Sequence, residues 1–461
     1  MVFSVQNVTW DLNLIKKYDN PAPRYTSYPP ATELNEEFSE TNWREAIADS
    51  NQRKSPLSLY FHIPFCQSAC YFCGCNVVVS NNKKIAEKYL QYLTKEIEIT
   101  SKLIDLERKV VQLHWGGGTP NYLSIEQVEF LWKKINEKFT FAEKAEISIE
   151  INPRYVDKNY IFFLKSLGFN RLSFGIQDFN PVVQEAVNRV QPEKMLFEVM
   201  GWIKEAGFES VNVDLIYGLP FQTLETFKET VKKTLQLDPA RIAVFNFAYV
   251  PWIKPVQKNI PESALPPAAE KLKIWQMTIE ELTNNGYVFI GMDHFAKPND
   301  ELAIAQRNQA LKRNFQGYTT QPEAELFGFG ATAIGMLEDA YSQNHKTLKD
   351  YYQAIDAGCL PVSKGIKLSC ADMLRREVIM QIMSNFQLDK SEIELKYGID
   401  FDNYFAAELE AILPFEKDGL VKLYSNRLEV TPLGRLLVRN IAFIFDNHTE
   451  IRGEQKLSRT I

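Results

Sequence analysis

Positive charge is in short supply in this chain. Lys and Arg number 52 against 58 Asp and Glu, a formal net charge of −6. A surface without basic excess excludes broad engagement of nucleic-acid phosphates, although a local basic pocket for a small anion stays open. Long apolar runs are missing too. The most apolar late stretch, 436–445, is broken by Arg439 and Asn440 and is too short to span a bilayer, so no membrane association is expected. The first ten residues carry no positive segment followed by an apolar run, which gives no sign of a secretory signal and makes the cytoplasm the expected compartment. Cysteine is scarce, six in 461 residues, and it is not spread as a disulfide scaffold would spread it. Four of the six, Cys66, Cys70, Cys73 and Cys75, fall within ten residues, a clustering that points to metal ligation in a reducing compartment. What remains, 45% hydrophobic and 24% charged residues, is the composition of an ordinary globular enzyme rather than of a disordered chain.

From Leu57 the pattern becomes rhythmic. Short β-rich runs at 57–63, 110–116, 145–151, 171–176, 210–217 and 241–249 are separated by stretches of helical spacing, such as 84–106, 124–138, 157–167 and 223–236. Strands alternating with helices predict an α/β fold with a parallel sheet of right-handed βα units. A curved, partial barrel fits best, with a doubly wound open sheet as the alternative. Residues 1–55, with Pro21, Pro23, Pro29 and Pro30 around Tyr25 and Tyr28, read as an extended arm. That arm is either a strap packed by its aromatics or a cover over an active site. The barrel is assigned to 56–360. Within it a helix is expected near 268–285, and the glycine-bearing stretch 327–335 is a candidate to close over the barrel. Residues 361–461 read as a smaller, mainly helical domain in the order of a winged helix, with helices at 370–385 and 401–412, a hairpin around Ser425 and Asn426, and a last helix from Leu433. No basic stripe marks it for nucleic acid, so a structural cap is the expectation.

The unusual residues fall where the strands end. The cysteines follow the first strand, Gly116-Gly117-Gly118-Thr119-Pro120 follows the second, Glu150 ends the third, Gln177 and Asp178 the fourth, Asp214 to Pro220 the fifth, and Ala248 and Tyr249 the sixth. Chemistry gathered at the C-terminal ends of parallel strands is the location rule for βα barrels. Cys66-x3-Cys70-x2-Cys73 sets three thiolates in one loop. Bound to a cubane they leave one iron open to chelate the amino and carboxylate groups of S-adenosylmethionine. The alternative is a zinc site that also uses Cys75, but structural zinc loops usually come as two separated CxxC pairs. The spacing after a strand and before a βα array is that of the radical S-adenosylmethionine superfamily. The glycine run allows backbone to approach a small ligand, or forms a tight turn. Glu150 is an acceptor for ligand amino or ribose groups or a solvated strand-end acid. Asp214 stands inside an apolar strand, where an unpaired carboxylate is costly. His62 and His114 read as supporting hydrogen-bonding residues.

Five segments together carry a closer resemblance: Pro23–Pro29 (PRYTSYP), Tyr60–Asn76 (YFHIPFCQSACYFCGCN), His114–Pro120 (HWGGGTP), Gly291–Phe295 (GMDHF) and Asn314–Gln321 (NFQGYTTQ). The chain resembles oxygen-independent coproporphyrinogen III oxidase, also called coproporphyrinogen dehydrogenase, over essentially its whole length. The resemblance implies a three-quarter barrel of six βα units and a mainly helical C-terminal domain. It implies oxidative decarboxylation of two propionates of coproporphyrinogen III to vinyls, giving protoporphyrinogen IX through a 5′-deoxyadenosyl radical. The cofactors it implies are a 4Fe–4S cluster and two molecules of S-adenosylmethionine, with an unidentified reductant and electron acceptor as partners of a monomer. Carried over by motif, Cys66, Cys70 and Cys73 ligate the cluster and Cys75 does not. Tyr60, Gly117, Glu150 and Ile334 hold the cluster-bound S-adenosylmethionine; Phe72, Gly118, Thr119, Gln177, Arg189, Asp214 and Ala248 hold the second. Arg24 is a candidate partner for a substrate carboxylate. The competing reading is a heme-chaperone-like relative on the same barrel, against which stand the PRYTSYP segment and the Cys75-Asn76 ending of the cysteine loop.

Overall fold

The alternating runs do form strands. The computed structural model describes residues 8–18, 20 and 22–449; Pro21 and the first seven residues of the expected arm lie outside them. Six strands follow one another in the sheet in chain order: β1 (Leu57–Ile63), β2 (Val110–Gly117), β3 (Phe141–Ile151), β4 (Arg171–Gln177), β5 (Ser210–Tyr217) and β6 (Arg241–Asn246). Every neighbouring pair is parallel, with Leu59 opposite Leu113, Leu113 opposite Ile147, Ile149 opposite Leu172, and Val213 between Phe174 and Ile242. A doubly wound sheet would reverse its order at a switch point. This one does not, so the sheet is the partial βα barrel.

Both faces of such a strand are covered, and parallel strands therefore usually read as continuous apolar runs. Here the two faces differ. Leu57, Leu59, Phe61 and Ile63 are fully buried on one side of β1, whereas Ser58, Tyr60 and His62 point to the other. The same parity puts Gln112 and His114 on β2, Glu146, Ser148 and Glu150 on β3, and Asn212 and Asp214 on β5 into one polar face. Its members bond across the strands: Ser58 Oγ donates to Gln112 Oε1 at 3.0 Å, Gln112 Nε2 to Glu146 Oε2 at 2.7 Å, and Asn212 Nδ2 to Ser173 Oγ at 2.9 Å. A barrel interior built of hydrogen-bonding side chains is equipped to hold polar ligands at its open end.

The intervening helices turn their apolar stripes to the sheet. Ile125–Asn136 and Leu224–Leu237 start at capping boxes formed by Ser124 with Gln127 and Thr223 with Thr226, which satisfy amides left unpaired by the first turn. Segment 327–335 does not close over the barrel. It forms β7 (Glu325–Phe329), parallel to β1, and the start of β8 (Ile334–Met336), from which β9 (Ala340–Asn344) and β10 (Val362–Lys367) continue antiparallel. Gly328 allows this turn, because a Cβ there would lie 2.5 Å from the Ile334 carbonyl oxygen.

Contacts gather the chain into two compact units that cut across the expected segments. One holds 34–277 and 323–367; the other holds the described residues up to Glu33, 278–322 and those from Leu368 on. In the second, helix Cys370–Asn385 is followed by a three-stranded antiparallel sheet (Gln387–Asp389, Val421–Leu423, Arg427–Val430) and short helices between its strands. The Pro-rich strap belongs to this unit. Arg439 donates to the carbonyls of Ala22 and Pro23, the Tyr25 hydroxyl donates to Asp446 Oδ2 at 2.8 Å, Arg24 pairs with Asp293, and the Asn447 amide donates to the Tyr28 hydroxyl at 3.0 Å. Among the described residues no helix is long and apolar enough to cross a membrane.

Candidate active site

The C-terminal ends of β1 to β6 surround a cavity of about 480 Å³. Cys66, Cys70, Cys73, Phe72, Gly117, Gly118, Thr119, Glu150, Gln177, Arg189 and Asp214 all line it. Tyr60, Ala248 and Ile334 do not, and Arg24 belongs to the other compact unit.

The cysteine loop is closed at its base by short parallel pairing of Phe65–Cys66 with Val78–Val79. Inside it the Cys73 amide donates to the Cys70 carbonyl at 3.1 Å, and the Tyr71 amide donates to Val187 O at 3.0 Å. Cys66 Sγ lies 3.3 Å from Thr119 Oγ1. Two guanidinium groups donate to the sulfur of Cys70, Arg189 Nη1 at 3.6 Å and Arg154 Nη2 at 3.7 Å. Burial pushes the Cys66 thiol up to about 11, whereas a hydrogen bond from Cys75 holds Cys73 below its ordinary value and leaves the proton on Cys75. Among the described residues no three His, Cys, Asp or Glu side chains converge to hold one metal ion.

A hydrogen-bonded chain supports the loop from below. The Asn76 carbonyl can only accept, so His62 Nε2, 3.2 Å away, carries the proton; Nδ1 then accepts from the Tyr60 hydroxyl at 3.0 Å. Desolvation lowers the His62 pKa, in keeping with this neutral ring. Tyr60 also stacks on His114, whose Nε2 lies 3.3 Å from Glu150 Oε1. Tyr60 thus sits one layer beneath the cavity, behind Glu150.

The glycine run owes its composition partly to packing. Gly117 has φ +118°, and a Cβ there would meet the His62 ring at 2.8 Å. A Cβ on Gly118 would fall 2.9 Å from the backbone of Pro64 and Phe65, wedging the glycine loop away from the cysteine loop. The Gly117 amide faces Glu150 Oε2 at 3.3 Å.

On the far wall, Gln177 ends β4 in the left-handed region at φ +66°, a costly conformation for a residue with a side chain. Its Oε1 is buried without a hydrogen-bond partner, and so is Arg189 Nε. Asp214 accepts from Asn212 Nδ2 at 2.8 Å; desolvation, then the charge of Glu150, push its carboxyl up to about 7. Its neighbour by sequence logic, Asp178, is structural: fully buried, it accepts from Thr230 Oγ1 at 2.7 Å and Gln222 Nε2 at 2.5 Å and ties the β4 and β5 loops together. Orphaned acceptors and donors beside a thiol-lined pocket fit a polar, cationic ligand such as S-adenosylmethionine, and three thiols in one loop fit a 4Fe–4S cluster.

Sequence reasoning missed Arg154, Lys254 and Gln257. Arg154 follows the β3 end and is aimed by Asn152, whose side chain accepts from its backbone amide and Nε, both at 3.2 Å. Lys254 lines the cavity and donates to the Cys75 carbonyl at 3.1 Å. Gln257 donates to the carbonyls of Ala248 at 3.1 Å and Phe72 at 3.4 Å, so it joins two expected ligand contacts from behind. The place of Arg154, just past a strand end, was the available signal; Lys254 and Gln257, before and within the short 3-10 turn Pro255–Asn259, had none.

Residues 60–234 match the family model described as the Radical SAM superfamily, and 368–437 the HemN C-terminal domain. The oxygen-independent coproporphyrinogen III oxidase of a Synechocystis strain is 60% identical, with 100% of both chains covered. The Escherichia coli protein of the same name is 48% identical over 99% of this chain and 100% of its own. A solved structure described as "Coproporphyrinogen III oxidase (HemN) from Escherichia coli is a Radical SAM enzyme" superposes with a TM-score of 0.92, covering 96% of this chain and 100% of that one.

Proposed function

This chain belongs to the oxygen-independent coproporphyrinogen III oxidases, and from that premise we propose how its barrel end performs the family's reaction. It is an oxidoreductase that decarboxylates two propionates of coproporphyrinogen III to vinyl groups and yields protoporphyrinogen IX, a step of heme biosynthesis. Bound at this end, a 4Fe–4S cluster with S-adenosylmethionine would supply radical chemistry able to activate a propionate β-carbon by hydrogen-atom abstraction.

Cys66, Cys70 and Cys73 hold the cluster. The observation that carries this assignment is that these three thiols line the same cavity as the glycine run, Glu150 and Asp214. Cys66 gives up its proton on ligation, because burial keeps the free thiol protonated. Arg154 and Arg189 offset the negative charge on Cys70 and on whatever it binds. Gly117 and Glu150 would orient the first S-adenosylmethionine; Tyr60 would act on it through His114 and Glu150, and Ile334 from the start of β8. Gln177, Arg189 and Asp214 present unsatisfied or protonatable groups to a second molecule, with Gly118 and Thr119 at its edge and Phe72 and Ala248 fixed by Gln257. Phe72 packs on the apolar cluster of Val183, Val187 and Leu219, which excludes water from that side of the cysteine loop.

Arg24 is assigned as a partner for a substrate carboxylate on its Pro-fixed sequence setting; Arg24→Ala must then alter turnover or substrate affinity. A monomer, a cytoplasmic setting, a separate protein reductant and an electron acceptor complete the reading; the clustered free cysteines support the reducing compartment. Anaerobic reconstitution with iron and sulfide, followed by reductant, S-adenosylmethionine and coproporphyrinogen III, tests it. Protoporphyrinogen IX and 5′-deoxyadenosine must form together. Tight stoichiometric heme binding without turnover would favour the chaperone-like relative, and a colourless product would favour zinc.

A further inference from the structure

The polypeptide leaving β6 makes a turn that is rigid in its backbone and greasy at its tip. The amides of Ile253 and Lys254 both donate to the Val250 carbonyl at 2.9 Å. Gln257, 2% exposed, accepts from the Val250 amide at 2.6 Å while its Nε2 holds Ala248 and Phe72. At the apex stand Trp252 and Ile253, 57% and 64% exposed; of the described large apolar side chains only Leu395 is more exposed than these two. Lys254 follows directly, with its Nζ on the Cys75 carbonyl, and Lys254, Pro255 and Val256 are part of the cavity wall.

A loop that merely connected two elements would not need a buried amide to hold its apolar tip in water, a placement with a hydration cost. The occupant that repays it has an apolar body and anionic arms, and it must reach the cysteine-lined cavity. The tetrapyrrole substrate has both: pyrrole rings for the apolar side chains and four propionate carboxylates for the lysine. Resting on the activity assigned above, we infer that Trp252 and Ile253 form the platform on which one side of the porphyrinogen is seated, and that Lys254 pairs with a propionate that is not reacting. An ion pair on the reacting carboxylate would stabilise its charge and oppose the release of its electrons into the forming vinyl group as neutral carbon dioxide leaves, so the lysine belongs to a neighbouring arm. The turn is then a specificity element: it selects a large apolar carboxylate-bearing ring and fixes its distance from the cluster loop through Gln257.

The test uses reconstituted holoenzyme under anaerobic conditions. Trp252→Ala should raise the KM for coproporphyrinogen III about tenfold or more, the effect of exposing one aromatic contact, and Ile253→Ser should raise it less. Trp252→Phe should bring KM back to within about threefold of the parent, since an aromatic face remains. Lys254→Met should weaken the free acid but not its tetramethyl ester, and Lys254→Arg should restore it. S-adenosylmethionine affinity and the melting temperature should be unchanged in the Trp252 and Ile253 variants. Unaltered KM and substrate affinity in both Trp252→Ala and Ile253→Ser would overturn the platform while leaving the assigned reaction intact. Failure of the parent enzyme to convert coproporphyrinogen III at all would overturn the reaction, and the platform with it.

Discussion

At the scale of single residues, the site is a problem of charge. On the proposed assignment three thiols would become thiolates in a half-buried loop, where guanidinium groups donate to Cys70 and a hydrogen bond from Cys75 reaches Cys73. Cys66→Ala, Cys70→Ala and Cys73→Ala should each abolish the reconstituted cluster and turnover, while Cys75→Ala should keep a full complement of iron and sulfide. Iron and sulfide analysis of the four variants checks this, and loss of the cluster in Cys75→Ala would bring back a four-cysteine site. Arg154 makes a finer prediction. Its removal strips a positive charge from beside a cluster ligand and disfavours the reduced, more negative state. Arg154→Met should therefore lower the cluster's reduction potential by on the order of 50 mV, with Arg154→Lys intermediate, in an anaerobic titration followed by electron paramagnetic resonance. The three-cysteine assignment was legible in the spacing and the resemblance. Which arginine reaches which sulfur was not, because it depends on side-chain direction past a strand end.

Elements decide whether those residues meet. The glycine loop and the cysteine loop touch backbone to backbone at Gly118, so Gly118→Ala should leave the barrel folded yet cut turnover at least tenfold, as a displacement of about 1 Å at a reacting centre does. An unchanged rate would show that the two loops yield without consequence. Behind β1 a second junction joins helix Lys84–Ser101 to the turn that carries Ile334. There Glu96, 2% exposed, accepts from the Gly330 amide and Asn344 Nδ2, both at 2.7 Å, and from the Tyr351 hydroxyl at 2.6 Å. Burial pushes its carboxyl up to about 7 from the usual 4.5. Between those values the unfolded chain has lost this proton while the folded one keeps it. The contribution to stability is therefore complete below pH 4.5 and falls as pH rises to about 7, by on the order of 3 kcal/mol in all. Glu96→Gln should flatten that part of the slope in denaturant unfolding measured across pH; an identical slope would place the titration elsewhere. The strand pattern was readable because β1 to β6 alternate or run apolar over whole strands. The turn at 327–335 was not, because its glycines answer to packing, Gly328 against Ile334, Gly330 against Tyr89 and His62, and Gly335 against Trp43, and not to any local period.

For the whole molecule, sequence order carried most of the architecture: strands that succeed one another at crossover spacings came out as a sheet in chain order, with their unusual residues at one end. Segment boundaries carried less. The strap near Pro23–Pro29 reads as an independent arm in composition, yet its tyrosines are hydrogen-bonded to Asp446 and Asn447, more than four hundred residues later, a pairing without local signal. Polar side chains at alternate positions of β1, β2, β3 and β5 were visible in the sequence, but only the sheet order shows that they form one interior face leading to the cavity. The central claim is that this face and its three cysteines serve a radical decarboxylation of a porphyrinogen. Its most direct test is coproporphyrinogen III labelled with deuterium at the propionate β-carbons, incubated anaerobically with the reconstituted protein, reductant and S-adenosylmethionine. The account predicts deuterium in the 5′-deoxyadenosine formed, alongside protoporphyrinogen IX; unlabelled 5′-deoxyadenosine, or none, with coproporphyrinogen recovered intact, would contradict it.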